Sequence, residues 1–346
     1  MRAALLALAA SPLVLAAGHG PRAGAHAAPA RRSAAGVKRA SGYSLTKNCE
    51  GDSFLDCFQF DTTAGNGGIA NFVDEATAKA KELFAVKNGK FHMRVHPVAD
   101  NGALDAIKLA TKEQYSEGLY IWDVERMPQV CGVWPAIWST GDDWPNNGEI
   151  DVVEYVSHQS MNSMSVHTGT GCWAGSTGYT GKPMMQDKSK ALNCDADATS
   201  SQGCGFRTAD DNTAGIGANY KKDGVYAVEW SSAGIKGWFF PRDSIPSDIT
   251  SKNPDPSSWD TPVMYISADS CNPSTYFGPQ TWIINTQLCG TWAAGTVWNT
   301  DNSYAGQEGS CASMTGHDTC ESYVLNTAHD FKHAYWRIGS FRIYNQ

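Results

Sequence analysis

The sequence predicts an all-β fold, a jelly-roll sandwich of two antiparallel sheets. Strand-forming segments of four to nine residues recur between turn clusters along most of the chain. Gly, Trp and Tyr are abundant while Leu and Lys are few. With 42% apolar and 18% charged residues, the chain is globular and long enough to bury a large core.

At the N-terminus Met1-Arg2 precedes an apolar run, Ala3 to Ala17, which is interrupted by Pro12 and is shorter than the roughly 20 residues a spanning helix needs. It reads as a secretory signal, with Ala25-His26-Ala27 as a small-x-small cleavage site and cleavage after Ala17 as the alternative. The dibasic pairs Arg31-Arg32 and Lys38-Arg39 suit a processing protease. Residues 1–39 are therefore expected to be a signal peptide and propeptide, and residues 40–346 one β-jelly-roll domain. Without that leader the chain carries 21 Lys and Arg against 35 Asp and Glu, a net charge near -14. So acidic a chain disfavours nucleic-acid and anionic-membrane partners, which need a basic surface. Neutral ligands fit better, and a monomer outside the cell is expected.

Strands are expected at residues 91–95, 118–124, 133–138, 149–156, 163–167, 225–230, 235–240, 263–266, 282–286 and 336–344. One helix is expected over Asp74 to Phe84, rich in Ala, Lys and Glu. Residues 172–220 and 291–333 are rich in Gly, Ser, Thr, Asp and Asn and read as long loops pinned by bridges. The ten cysteines contain no C-x-x-C pair, so disulfides are expected rather than zinc. Cys49 with Cys57, Cys271 with Cys289 and Cys311 with Cys320 are nearest in sequence, although spacing does not fix connectivity. No N-glycosylation sequon is present.

The chemistry is concentrated in Gly148-Glu-Ile-Asp-Val-Val-Glu-Tyr-Val156. In a strand Glu149 and Asp151 share one face, and Ile150 and Val152 point to the core. Strict alternation would bury Glu154, at a cost of roughly 2 kcal/mol or more for an unpartnered polar group. One extra residue at Val152-Val153, a β-bulge, returns Glu154 to the face of the other two acids. A charged edge strand is the plain alternative for any acidic strand, but the interleaved β-branched residues imply a buried opposite face. A Ca²⁺ loop would use irregular backbone instead, so no metal and no cofactor are expected.

Paired carboxylates suit glycoside hydrolysis, in which one attacks the anomeric carbon and the other protonates the leaving oxygen. At a separation of about 5 to 5.5 Å they would retain configuration. Asp151 between them would raise a neighbour's proton affinity and share a proton with Glu149. His167 could donate to Glu154 or Asp151. Trp138 and Trp144 offer flat indoles that stack on a pyranose ring, as does Trp292, while Trp134 fits either a ligand platform or the core.

Gly132-Val-Trp-Pro-Ala-Ile-Trp138, Trp144-Pro-Asn-Asn-Gly-Glu-Ile-Asp-Val-Val-Glu154 and Met164-Ser-Val-His-Thr-Gly169 closely resemble glycoside hydrolase family 16. Within it they resemble the secreted fungal endo-1,3(4)-β-glucanases, or laminarinases. The resemblance continues through Trp238 to Arg242, Ile283 to Trp292 and Ala334 to Ile338, covering nearly all of residues 41–346. It implies a jelly roll with a concave glucan cleft and retaining hydrolysis of internal β-1,3 bonds, or β-1,4 bonds beside them, in β-glucans such as laminarin and lichenan. By the same resemblance Glu149 is the nucleophile, Glu154 the acid/base, Asp151 the auxiliary acid and His167 the assisting histidine. Trp138, Trp144 and Trp292 are implied glucan contacts. The inserted residue resembles the laminarinase branch rather than the unbulged lichenase branch. Lys108 stands where relatives often carry Arg, and the Cys49 and Cys57 pair looks additional. A non-catalytic β-glucan-binding protein and a cell-wall glucan transglycosylase are the alternatives.

Overall fold

A computed structural model describes residues 42–221 and 223–346. The leader, its cleavage sites and the dibasic pairs lie outside the described residues. Two eight-stranded sheets face each other, and a separate three-stranded sheet packs beside one of them. From one edge to the other, the front sheet runs Lys182–Pro183, Cys204–Arg207, Ser163–His167, Glu149–Glu154, Val133–Thr140, Thr281–Leu288, Lys108–Thr111 and Phe58–Phe60. All its pairings are antiparallel. The back sheet is centred on Gly118–Arg126 and the long Tyr335–Asn345 strand, on which Ser44–Glu50 also pairs.

Every expected strand forms, Ser163–His167 with the expected ends and the others with ends shifted by at most two residues. Between the sheets Trp122 stacks on Phe341 at 3.9 Å, and Phe58, Tyr120 and Trp282 close around that pair. Ile150, Val152 and Val153 enter this core fully buried. The front strand that carries the acids is thus anchored from behind by its own aliphatic residues. Burying each of them contributes about 1.5–3 kcal/mol.

The expected helix over Asp74 to Phe84 is shorter than its composition suggests, covering only Glu75–Ala80. Asp74 caps it by accepting from the Thr77 N–H at 2.8 Å. Glu82 then takes φ 51°, and Phe84–Lys87 leaves as a strand to pair with Lys90–Arg94. Its turn is Asn88-Gly89, both at positive φ, the dipeptide that best suits a tight hairpin. Tertiary pairing overrides helical composition here.

Five disulfides form and, among the described residues, no cysteine is free. Cys49–Cys57 is one of them. The other two sequence-adjacent pairs do not bond to each other: Cys271 joins Cys172, Cys289 joins Cys320, and Cys311 joins Cys131. The fifth bridge, Cys194–Cys204, ties residues 182–203 to the Cys204–Arg207 strand. The segments expected as loops also hold short helices, including Gly215–Tyr220 and Cys320–Asn326. No helix among the described residues is long and apolar enough to cross a membrane.

Candidate active site

The expected bulge is present. Trp138 sits opposite Asp151 and Ile137 opposite Val153, so Val152 has no partner on the Val133–Thr140 strand. The register to the other neighbour slips at the same place, between Asp151 and Glu154. One side chain holds this irregularity. Asn162, fully buried, accepts from the Glu154 N–H at 3.0 Å and donates to the Val152 carbonyl at 2.8 Å. It thereby satisfies backbone groups that the bulge removes from the ladder.

Upstream, Gly148 turns the chain into this strand at φ 75°, and a Cβ there would lie 2.3 Å from the Phe277 ring. Only glycine combines that dihedral with that clearance. Glu149 follows at once and is held by the Trp144 indole N–H. At the far end Glu154 accepts from the Trp134 indole N–H at 2.9 Å. Asp151 is buried between them, with His167 Nε2 3.0 Å from its Oδ2. Of the two partners expected for His167, Asp151 is the one its Nε2 approaches.

Burial raises the proton affinity of all three acids. Burial, then the Asp151 charge, pushes Glu149 up to about 8. Burial, then the Glu154 charge, lifts Asp151 well above the usual carboxylate range, and a hydrogen bond with Glu149 opposes this. Burial also raises Glu154, while the Trp134 N–H, His167 and Arg207 pull it back. A carboxyl group that stays protonated near neutrality can donate a proton, and an ionised neighbour can attack. Glu149, Asp151 and His167 also present donor atoms within 4.8 Å of one another, a spacing that could hold a cation. Indole N–H groups on both flanking glutamates favour an acid–base reading of the cluster.

The tryptophans divide between roles. No turn intervenes at Pro135, so Trp134 and Trp138 share the cleft face of one strand. Trp138 donates to Asn285 at 2.8 Å, and Trp144 is 44% exposed. Trp292 meets Trp134 edge to face at 5.8 Å and borders a cavity of about 890 Å³ beside Glu154. A second, narrow cavity of about 40 Å³ lies over Glu149, Asp151 and Glu154, walled by Trp138, Asn285 and Gln287. Asn162, Asn285, Gln287, Arg207 and Tyr304 were not expected from the sequence. Cross-strand register supplies the missing signal: Ala136, opposite Glu154, is also opposite Asn285.

A family model described as an XgeA-like, catalytic GH16 domain matches residues 58–344. The chain is 35% identical over 318 residues to a Neosartorya fischeri protein named "probable endo-1,3(4)-beta-glucanase", covering 89% of this chain. It spans about half of that relative, 46% of its length. Among solved structures it is similar to laminarinase 16A of Phanerochaete chrysosporium holding 6-O-glucosyl-laminaritriose in donor and acceptor sites. That likeness has a TM-score of 0.78 and 33% identity over 88% of this chain and 99% of the other. It is also similar to an elongating family 16 β-1,3-glucosyltransferase, with a TM-score of 0.76 and 31% identity over 88% and 100% of the two chains. With the jelly roll, the acid-bearing bulged strand and a catalytic-domain match along nearly all of the described residues, the chain belongs to glycoside hydrolase family 16.

Proposed function

We propose that the protein is a retaining endo-β-glucanase that cuts internal β-1,3 bonds, and β-1,4 bonds beside them, in polysaccharides such as laminarin and lichenan. The observation that carries this is the bulge, which brings Glu149, Asp151 and Glu154 to one face with an indole N–H on each glutamate. In the first step a Glu149 oxygen bonds to the anomeric carbon as the glycosidic bond breaks. The Glu154 proton passes to the leaving oxygen. In the second, Glu154 takes a proton from water, the water oxygen bonds to the same carbon, and the ester to Glu149 breaks. Burial and the Asp151 charge hold Glu149 up at about 8, so attack requires its proton to pass to Asp151, whose own proton affinity is raised by burial. His167 beside Asp151 fixes that carboxyl in place. Trp138, Trp144 and Trp292 are the proposed sugar platforms, with Trp134 acting through Glu154.

Product analysis on laminarin, lichenan and an unmixed β-1,4 glucan tests this, with Glu149→Ser as the inactive control. Cleavage of the first two with retained anomeric configuration by NMR is expected. Inverted products, or cleavage of the β-1,4 glucan alone, would remove the reading. The roomy cavity beside Glu154 and the likeness to a glucosyltransferase favour a second outcome, transfer to a sugar instead of water. Products longer than the substrate, appearing when a short acceptor is added, would reveal it. A monomer acting outside the cell completes the proposal; five disulfides suit an oxidising compartment. Size-exclusion chromatography of the culture medium checks both points.

A further inference from the structure

Arg207 lies in the same cross-strand row as Glu154. Glu154 is opposite Ser163, and Ser163 is opposite Arg207. At about 4.8 Å per strand the two long side chains converge over a single small serine. The neighbouring row is smaller still, with Asp151 opposite Ser165 and Ser165 opposite Gly205. These small residues leave open the cavity that Glu154 and Arg207 both line.

Arg207 is buried, at 7% exposure, and its contacts do not neutralise it. Nη2 reaches Ser163 Oγ at 3.5 Å, and the exposed ring of Tyr304 covers the guanidinium, 5.0 Å from ring centroid to Cζ. Nε and Nη1 have no hydrogen-bond partner. No carboxylate among the described residues pairs with it. A buried cation costs several kcal/mol unless compensated, and the acid facing it across the cavity is Glu154.

We propose that Arg207 is a positioning residue for Glu154: a buried cation, wedged between Ser163 and the ring of Tyr304, that stabilises the carboxylate form of Glu154 as its proton leaves. This rests on the reading of Glu154 as the acid and base of a glycosidase. The other titratable groups facing Glu154 are Glu149 and Asp151 from its own strand and His167 from the next, while the Trp134 N–H approaches from the opposite side. Lys182, opposite Arg207 on the edge strand, is exposed, and Asp187 and Lys190 border the cavity from the segment beyond it. The pull of Arg207 on Glu154 toward ionisation agrees with this geometry. A cation holds the acid's proton affinity down, so removing it raises that affinity. The alkaline limb of the pH profile, where the acid is lost, then moves upward.

The test is the pH dependence of kcat/KM on laminarin for the full chain. Arg207→Met should move the alkaline limb up by about half a pH unit or more, and Arg207→Lys should restore most of the wild-type position. Tyr304→Ala, which admits water to the guanidinium, should move it the same way by less. An activity loss in Arg207→Met that is equal at every pH, with the limb unmoved, would assign Arg207 to structure alone. If Arg207→Met does not fold by circular dichroism, Tyr304→Ala decides, and an unmoved limb there overturns the proposal. Wild-type protein that releases no sugar would overturn the glycosidase reading and this assignment with it, an outcome distinct from any variant's behaviour.

Discussion

Among the described residues, burial raises the proton affinity of acids in two places, and the two differ in almost everything else. On the front sheet Glu149, Asp151 and Glu154 have indole and histidine partners around them and border two cavities. At the start of the back-sheet Gly224–Ser231 strand, Asp223 is 1% exposed, takes φ 54°, and has no hydrogen-bond donor on either carboxylate oxygen. Burial pushes it up to about 8, against the opposing pull of Arg242, Arg126 and Arg337. Raised proton affinity is therefore common to both places and cannot by itself mark a site. What separates them is convergence: several acids, directed donors and open space.

The largest test of that contrast is to remove the acids in turn. Glu154→Gln and Glu149→Ser should each cut kcat on laminarin by at least about 10²–10⁴-fold. Asp223→Asn should leave it within about twofold. An active Glu154→Gln would break the comparison outright.

Next in size is the residue that makes convergence possible. Asn162→Leu removes both contacts that hold the bulge and strands the Glu154 N–H and the Val152 carbonyl. A loss of about 1–3 kcal/mol in denaturant unfolding is expected, with a fall in kcat exceeding any change in KM.

A smaller effect comes from a dipole. Trp134→Phe keeps the ring but deletes the N–H on Glu154, and the alkaline limb should shift upward as it does for Arg207→Met. Because Arg207 and Glu154 act on each other inside the protein, where salt screens poorly, both shifts should persist with little change as the salt concentration is raised. The smallest signal concerns stability against pH. Asp223 binds its proton more tightly folded than unfolded, so its contribution is present below the ordinary carboxylate range and is lost as pH rises through about 8. The thermal stability of wild type should therefore fall across that window, and Asp223→Asn should flatten the decline.

The acid strand was legible because its residues violate their own alternation. Ile150 and Val152 declare a buried face, and the third acid falls out of phase unless a residue is inserted. The strands around it were legible for the same reason, runs of β-branched and aromatic residues between turns. Arg207 was not, because Cys204-Gly-Phe-Arg207 is short, lacks alternation and lies in a Gly- and Asp-rich stretch. Its place beside Glu154 comes from pairing with Ser163, 44 residues earlier. Asn162 was equally silent, since a lone Asn after a turn carries no sign that it closes a gap in a neighbouring strand. The disulfides teach likewise: the Cys131–Cys311 bridge, 180 residues apart, follows from three-dimensional proximity that sequence spacing does not encode.

The unpaired Val152 also makes the strand unusually forgiving of one particular change in length. Excising it would leave Glu-Ile-Asp-Val-Glu, a plain pleat whose three acids still fall on every second position. Two lengths of the same segment therefore encode one orientation of its charged groups. Asn162 would be left with nothing to bridge in the shorter form.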